Sequence, residues 1–411
     1  RHIFLPAAFV GVCGLVSALY LGSKIDLLWQ IAIYSVGLFL CCMICHGELF
    51  RLRPQPSHLT SYYLAISIGG AIGGVFVTLL APLLFSLYLE FHIGLFACCA
   101  LTLWAITLDK SALAGKLNPR ITLMVGSVAL TILAAYLINH VHRVTASETV
   151  ISRNFYGVLR IEDRDTDNPA LARRVLRHGA IDHGFQFLAK EKRHLPTAYY
   201  RPETGVGLAL NHLLTEHDRR IGVVGLGVGT LLSYGQNSDY FRLYDINPKV
   251  VELAQTHFSY LSDSRAAYDI VTTDARLALE REAPQDFDIL ILDAFSGDSI
   301  PMHLLTDEAM QLYRRHLRPD GVFAIHIANH YLDLKPLLRG WAEKESYHYR
   351  FIREPSAEDD FGLYRSSWAL LSRNLAFLQQ PAIENAAQKD EGSEKRLIWT
   401  DDFCNLFSLL K

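Results

Sequence analysis

The sequence predicts a multi-pass α-helical membrane domain followed by a doubly wound α/β domain. Three observations predict it. Residues 1–143 hold long apolar runs with few charges, the charges concentrate after Arg143, and from there short apolar runs alternate with helical segments. That alternation implies a parallel sheet covered by helices. The 411 residues exceed one ordinary domain, and half of them are hydrophobic. A formal net charge of −3 gives no nucleic-acid signal.

About 20 apolar residues cross a bilayer as a helix. Such runs fall near 3–21, 27–46, 61–87, 91–108 and 121–139, about five spans within the domain 1–143. The third contains "GGAIGG", with Gly69, Gly70, Gly73 and Gly74 spaced for close helix packing. "CHGEL" puts His46 and Glu48 at a helix end, as solvated polar groups. Cys13, Cys41, Cys42, Cys45, Cys98 and Cys99 lie in apolar runs and read as small hydrophobes. Cys42 and Cys45 have CxxC spacing only inside such a run, Cys404 is alone, and no metal site is expected. The chain begins at Arg1 rather than Met, so truncation at the N-terminus is expected, and no cleavable signal peptide is evident.

Two considerations about sidedness conflict. Arg51, Arg53, Lys110, Lys116 and Arg120 lie in the second and fourth loops, which the positive-inside rule places in the cytoplasm. Five spans then put the rest of the chain outside. A nucleotide-type ligand is a cytosolic metabolite and argues the reverse. The expectation is a cytoplasmic catalytic domain on a bacterial inner membrane.

The second domain, 151–411, opens with a small β region. "RNFYGVLRIED" reads as a strand leading to a turn, and "RRVLRHGAIDHGFQFLA" as two short strands around Gly179. Then strands "RIGVVGLG", "YFRLYDI", "YDIVTTDA", "FDILILDAF" and "GVFAIHIAN" alternate with helical segments. Those segments are "GTLLSYG", "PKVVELAQTHF" and "TDEAMQLYRRHL". Ligands of such sheets bind outside the carboxyl ends of the strands. The first strand ends in Gly225, Gly227 and Gly229, which allow a tight turn and close approach of a ligand. The second ends at Asp245, placed to accept ribose hydroxyls, the third at Asp274-Ala275, near an adenine, and the fourth at Asp293. Each feature alone reads equally well as a loop glycine or a helix cap. Together and in this order they describe an adenosine site. The register GxGxG lacks the last glycine of a dinucleotide turn, and no Walker lysine follows. S-adenosylmethionine (AdoMet) or its decarboxylated form fits best, in a Rossmann-like AdoMet-dependent transferase domain.

Asp293, Asp298, Asp401 and Asp402 can attract a polyamine and position its nitrogen for attack. Thr400 in "WTDDF" also reads as the N-cap of a helix over "FCNLFSLL". His303 is either a general base or a satisfied helix-start residue; His178 and His183 are better placed to line the site.

From Arg153 to about Ala376 the chain resembles spermidine synthases, the aminopropyltransferases, and above all their membrane-fused bacterial relatives. The segments that carry the resemblance are "RNFYGVLR", "HGAIDHGFQF", "PTAYY", "GVGLAL", "DARLALE", "DAFSGDSIPMHLLT" and the tail "WTDDF" within 386–411. Upstream, "HGEL" and "LTSYYLAISIGGAIGG" extend it over nearly the whole chain. The resemblance implies donor contacts from Gln186, Asp245 and Asp274, and amine deprotonation by Asp293. It implies substrate contacts from Tyr199 and Tyr200, where the family has Tyr-His-Glu, and a homodimer. Two departures bear on the donor. Val228 stands where the family's glycine turn carries an acid for the donor's amine, and Ser296 stands where a second loop aspartate is expected. The leading expectation is aminopropyl transfer from decarboxylated AdoMet or AdoMet to a small amine or polyamine at the lipid bilayer. A membrane methyltransferase and a non-catalytic polyamine transporter or sensor are the alternatives.

Overall fold

The computed structural model describes residues 4–108, 119–179, 181–213, 215–294, 301–329, 332–354, 364, 366–388 and 395–411. The chain divides into two compact units, Arg1–Val158 and Leu159–Lys411.

In the first unit, five helical stretches among the described residues are long and apolar enough to cross a membrane. They are Phe4–Leu21, Leu27–Arg51, Pro56–Leu84, Leu89–Thr107 and Arg120–Thr145. Their helices are α1 (Phe4–Leu21), α2 (Leu27–Arg51), α3 (Leu59–Val75), α4 (Ala81–Leu84), α5 (Leu89–Leu108) and α6 (Pro119–Thr145). α2 outruns its expected end, so His46 and Glu48 sit in its last turns, and Glu48 pairs with Arg51 at 3.2 Å. A π-helical segment, Phe76–Leu80, joins α3 to α4 just before Pro82, whose missing amide cannot continue the regular ladder.

Helix contacts in this unit fall at glycines other than the expected ones. A methyl group at Gly37 would lie 2.6 Å from Leu15 Cγ, and one at Gly11 would lie 2.9 Å from Leu40 Cδ1. Around Gly69, Gly70, Gly73 and Gly74 nothing lies within 4 Å, and α3 buries no residue among those described. The "GGAIGG" glycines therefore make no close packing among the described residues. Small residues permit close approach, but they do not supply the neighbouring helix. Polar side chains along the apolar helices find partners. The Tyr136 hydroxyl donates to the Val16 carbonyl at 3.0 Å, and His140 Nε2 donates to the Leu19 carbonyl at 3.1 Å.

The stretch "RNFYGVLRIED" is two strands rather than one. β1 (Glu148–Asn154) ends where Asn154 Oδ1 accepts the Tyr156 amide at 2.9 Å, and β2 (Gly157–Arg164) begins at a glycine with φ +125°. In the first unit β1 is tied to the start of α5, because Arg153 donates twice to Glu90, at 2.9 and 2.7 Å.

In the second unit, β2, β3 (Arg173–His178) and β4 (Ile181–Phe187) pair antiparallel, with Ile161 opposite Leu176 and Val175 opposite Phe185. The expected pair of strands around Gly179 is present. α7 (Gly205–His212) leads into the main sheet. Its strands are β5 (Arg220–Val224), β6 (Tyr240–Tyr244), β7 (Ala267–Val271), β8 (Phe287–Leu292), β9 (Leu317–His326), β10 (His348–Glu354) and β11 (Ser366–Ser372), in the order β10-β11-β9-β8-β5-β6-β7. β5 pairs parallel with both β6 and β8, and β8 with β9; β11 runs antiparallel between β9 and β10. The chain starts mid-sheet at β5, winds out to β7, then returns to β8 on the other side of β5. The order of winding reverses between β5 and β8, which is where such sheets bind ligands.

The sheet is covered on both faces. Val224, Leu290, Leu292, Phe323 and Ile325 pack with α9 (Ala275–Arg281), α10 (Asp307–Arg315) and α11 (Lys335–Lys344). Val223, Ile289, Ile291, Ala324 and Trp368 pack with α7. Each buried large side chain contributes about 1.5–3 kcal/mol. α8 (Pro248–His257) is the helix expected from "PKVVELAQTHF". "GTLLSYG", expected as a helix, forms only a 3-10 turn, Thr230–Tyr234. Gly229 at φ +84° precedes it and Gly235 is extended, so the run has room for little more than one turn. The tail also departs from expectation. Thr400 makes a reciprocal backbone turn with Phe403, and only Leu406–Leu409 is helical, as 3-10, so Thr400 caps no helix there.

Candidate active site

The glycine turn after β5 is built by backbone conformation. Gly225, Gly227 and Gly229 have φ of +98°, +54° and +84°, a region that side chains with a Cβ rarely adopt. A methyl at Gly225 would strike the Asp293 carbonyl, so β5 and β8 end in direct backbone contact. A methyl at Gly227 would lie 2.9 Å from the His183 carbonyl, which brings β4 over the same turn.

Asp245 follows β6 and turns back to this loop. Its Oδ2 accepts the Leu226 amide at 3.0 Å, and its Oδ1 accepts the Asn247 amide at 2.9 Å. Burial raises its carboxyl above the ordinary range, opposed by these two hydrogen bonds. Each carboxylate oxygen keeps a further lone pair, so a ribose hydroxyl can still be accepted. Asp274 is the N-cap of α9: Oδ1 accepts the Leu277 amide at 3.0 Å while Oδ2 meets His303 Nε2 at 3.0 Å. Ala275 is buried in the first turn of that helix. Asp274 and His303 are thus paired with each other, and the helix-cap alternative for Asp274 is realised.

Asp293 follows β8 and is buried, at 9% exposure. The Tyr200 hydroxyl donates to its Oδ2, and His326 Nδ1 lies 2.7 Å from its Oδ1. Burial, then the charge of Asp293, raises the phenol pKa values of Tyr199 and Tyr200 well above the ordinary range, so both keep their protons. His326 ends β9 and lies between two rings, Tyr199 at 4.9 Å and Trp368 at 4.6 Å between centroids, nearly parallel to both. A small apolar cleft lined by Val224, Leu292, Ala294, Leu304, Leu305, Ile325 and His326 opens at these strand ends. Sequence reasoning missed His326. The final polar residue of an otherwise apolar strand run was the available signal.

His183 lies at the turn as well. Its ring is pushed down to about 4 by burial and by the His178 ring, 5.5 Å away, so it is neutral at pH 7. Val228 is fully buried, and a methyl at Gly184 would lie 2.9 Å from its Cγ2. It packs the turn onto β4, so the position offers no charge to a ligand.

Two residues expected to contact ligand make structural hydrogen bonds. Gln186 spends its amide on Arg193 O (2.8 Å), Ser259 Oγ (3.0 Å) and Ser259 N (2.9 Å), tying β4 to the loop after α8. Asp401 accepts two bonds from Arg276, one at 2.7 Å, and one from Thr306 at 2.8 Å, which anchors the tail to α9 and α10. Asp402 is exposed. Asp298 lies outside the described residues. Among the described residues, no group of three or more His, Cys, Asp or Glu is placed to hold a metal ion.

No family model matches the chain. It is 30% identical over 115 residues to a polyamine aminopropyltransferase of Vibrio vulnificus, covering 27% of this chain and 38% of the relative. It is 27% identical over 214 residues to an N-terminal histidine N-methyltransferase of Emericella nidulans, covering 46% of this chain and 37% of the relative. The chain thus spans less than two fifths of the length of either curated relative. Among solved structures, spermidine synthase from Thermotoga maritima is similar at 17% identity and a TM-score of 0.41, over 62% of this chain and 82% of that one.

Proposed function

We propose that this chain is a membrane-anchored transferase that moves an alkyl group from an adenosyl sulfonium donor to an amine. The observation that carries the reading is the backbone contact between Gly225 and Asp293 at the point where the sheet reverses its winding. It sets a glycine turn for the donor beside a buried carboxylate for the acceptor. The donor's ribose rests on Asp245 and its base near Asp274 and Ala275, over Gly225, Gly227 and Gly229. Gln186 supports the loop behind it, while Tyr199 and Tyr200 bound the acceptor side. Distant similarity to an aminopropyltransferase and to an N-methyltransferase supports a group transferase of this kind.

Aminopropyl transfer from decarboxylated AdoMet to a small amine or polyamine is the leading form. Methyl transfer from AdoMet is the second, and Val228 favours it: an apolar side chain buried against Gly184 cannot hold a charged propylamine. The apolar helices of the first unit anchor the enzyme, with the catalytic unit in the cytosol where the donor is made. Calorimetric titration of the detergent-solubilised protein with methylthioadenosine tests the donor site. Saturable binding that Asp245→Ala weakens supports it; a flat titration of folded wild-type protein refutes it.

A further inference from the structure

The reaction needs a proton acceptor, because an alkylamine reaches the site protonated at neutral pH. Asp293 is one candidate, but each of its oxygens already accepts a hydrogen bond, one from the Tyr200 hydroxyl and the other from His326, so a proton taken up by the pair can reside on the ring instead. Tyr200 keeps its proton and donates it. An ionised Asp293 has no proton to give, so its bond to His326 requires the hydrogen on Nδ1. In the neutral ring the basic lone pair is then on Nε2. Tyr199 and Trp368 stack on the ring and hold it in this orientation. A carboxylate that holds a histidine's Nδ1 hydrogen leaves the ring's other nitrogen to take up a proton.

We propose that His326 Nε2 is the general base of this site and that Asp293 and Tyr200 are positioning residues which hold it. The proposal rests on the transferase reading above. The acceptor enters as an ammonium and gives one proton to His326 Nε2. Its freed lone pair attacks the donor carbon, the carbon–sulfur bond breaks, and the bonding pair stays on sulfur as a neutral thioether. The new secondary ammonium leaves with its charge, and the imidazolium returns its proton to solvent. One positive charge moves from sulfur to product nitrogen and one from acceptor to histidine, so charge and protons balance. The titratable groups that face the ring include Asp293 and Tyr199, with Tyr200 behind Asp293. The small cleft at the strand ends is lined by both His326 and Val224, the last residue of β5 before the glycine turn, and Nε2 is buried there.

The test uses the full chain in detergent and three variants, with turnover normalised to methylthioadenosine-binding protein. His326→Asn keeps a donor for Asp293 but has no basic nitrogen, and His326→Gln repeats the test with a longer side chain. Both are expected to lose roughly 10²–10⁴-fold in turnover at neutral pH, to bind methylthioadenosine within threefold of wild type, and to recover as the pH rises and the amine arrives neutral. His326→Ala leaves a slot between Tyr199 and Trp368, and added imidazole should restore part of its activity. Wild-type turnover and an unchanged pH profile in His326→Asn or His326→Gln, with binding intact, would overturn the assignment and return the base to Asp293. Absence of methylthioadenosine binding by the wild type is a different failure, since it removes the donor site itself and the base with it.

Discussion

The Asp245 carboxylate accepts the Leu226 amide at 3.0 Å, so the acid that ends β6 also closes the glycine turn that follows β5. The proposed donor contact would therefore be coupled to the turn geometry in one side chain. A hydrogen bond to a charged group contributes about 1.5–3 kcal/mol. Asp245→Ala is expected to weaken methylthioadenosine at least tenfold and also to lower the unfolding temperature. Asp245→Asn retains one acceptor oxygen and should fall between. Calorimetry alongside thermal unfolding separates the two effects, and unchanged affinity in Asp245→Ala would remove this residue from the site.

Burial holds the Asp245 carboxyl above its ordinary range, which gives a pH signature. The ionised form accepts the ribose hydroxyls, so nucleoside affinity should decline on acidification sooner than an exposed aspartate would cause. Asp245→Asn should flatten that decline. The sign for stability is opposite. A carboxyl raised in the folded state contributes stability that is complete below its unfolded pKa and is lost as pH rises through the folded one. Affinity measured across mildly acidic pH checks the first part, and an identical slope in Asp245→Asn would count against it.

Asp293→Asn keeps the shape of the side chain but removes its charge. The amide can still accept from Tyr200, yet its NH₂ then faces the Nδ1 hydrogen of His326 and the ring loses its enforced tautomer. Turnover is expected to fall roughly 10²–10⁴-fold with donor affinity little changed. A residue that merely capped its loop would instead lower stability and leave turnover per folded molecule intact.

In the first unit Gly37 is close-packed, where any Cβ meets Leu15, while a Cβ at Gly70 would have open space around it. Gly37→Val should therefore lower the unfolding temperature in detergent by several degrees, and Gly70→Val should leave it nearly unchanged. Overpacking of this kind typically costs about 1–3 kcal/mol. Equal losses at both positions would mean that α3 is packed in the solubilised protein, through its "GGAIGG" face.

The proposed cytosolic side rests on the origin of an adenosyl donor and opposes the count of loop charges. Asp167 is exposed between β2 and β3. A cysteine placed there should resist a membrane-impermeant thiol reagent in intact cells and react after lysis, relative to the wild-type background. Strong labelling in intact cells would put the second unit outside.

Much of this architecture was legible because it is periodic. The five apolar runs appear as helices, and β5 to β9 each coincide with a short apolar run ending in a glycine or polar residue. The ends of those strands were legible for the same reason, and Asp245 and Asp293 do follow β6 and β8. What stayed hidden depends on partners distant in sequence. The partners of Asp401, Asp274 and Gln186, which are Arg276, His303 and Ser259, are not visible in the sequence. His326 carries no motif, and its meaning comes only from the pairing of β9 beside β8 that sets it against Asp293. Val228 was marked as the missing acid; its role in packing the turn onto Gly184 required the fold.

The central claim is tested most directly by identifying products. Purified full-length protein is incubated with AdoMet or decarboxylated AdoMet and a panel of small amines and polyamines, and the mixtures are resolved by mass spectrometry. The account predicts an N-alkylated amine, with an adenosyl thioether formed in equal amount: methylthioadenosine if aminopropyl is transferred, adenosylhomocysteine if methyl is. Neither thioether accumulating with either donor, from protein that binds methylthioadenosine and is folded, would contradict it.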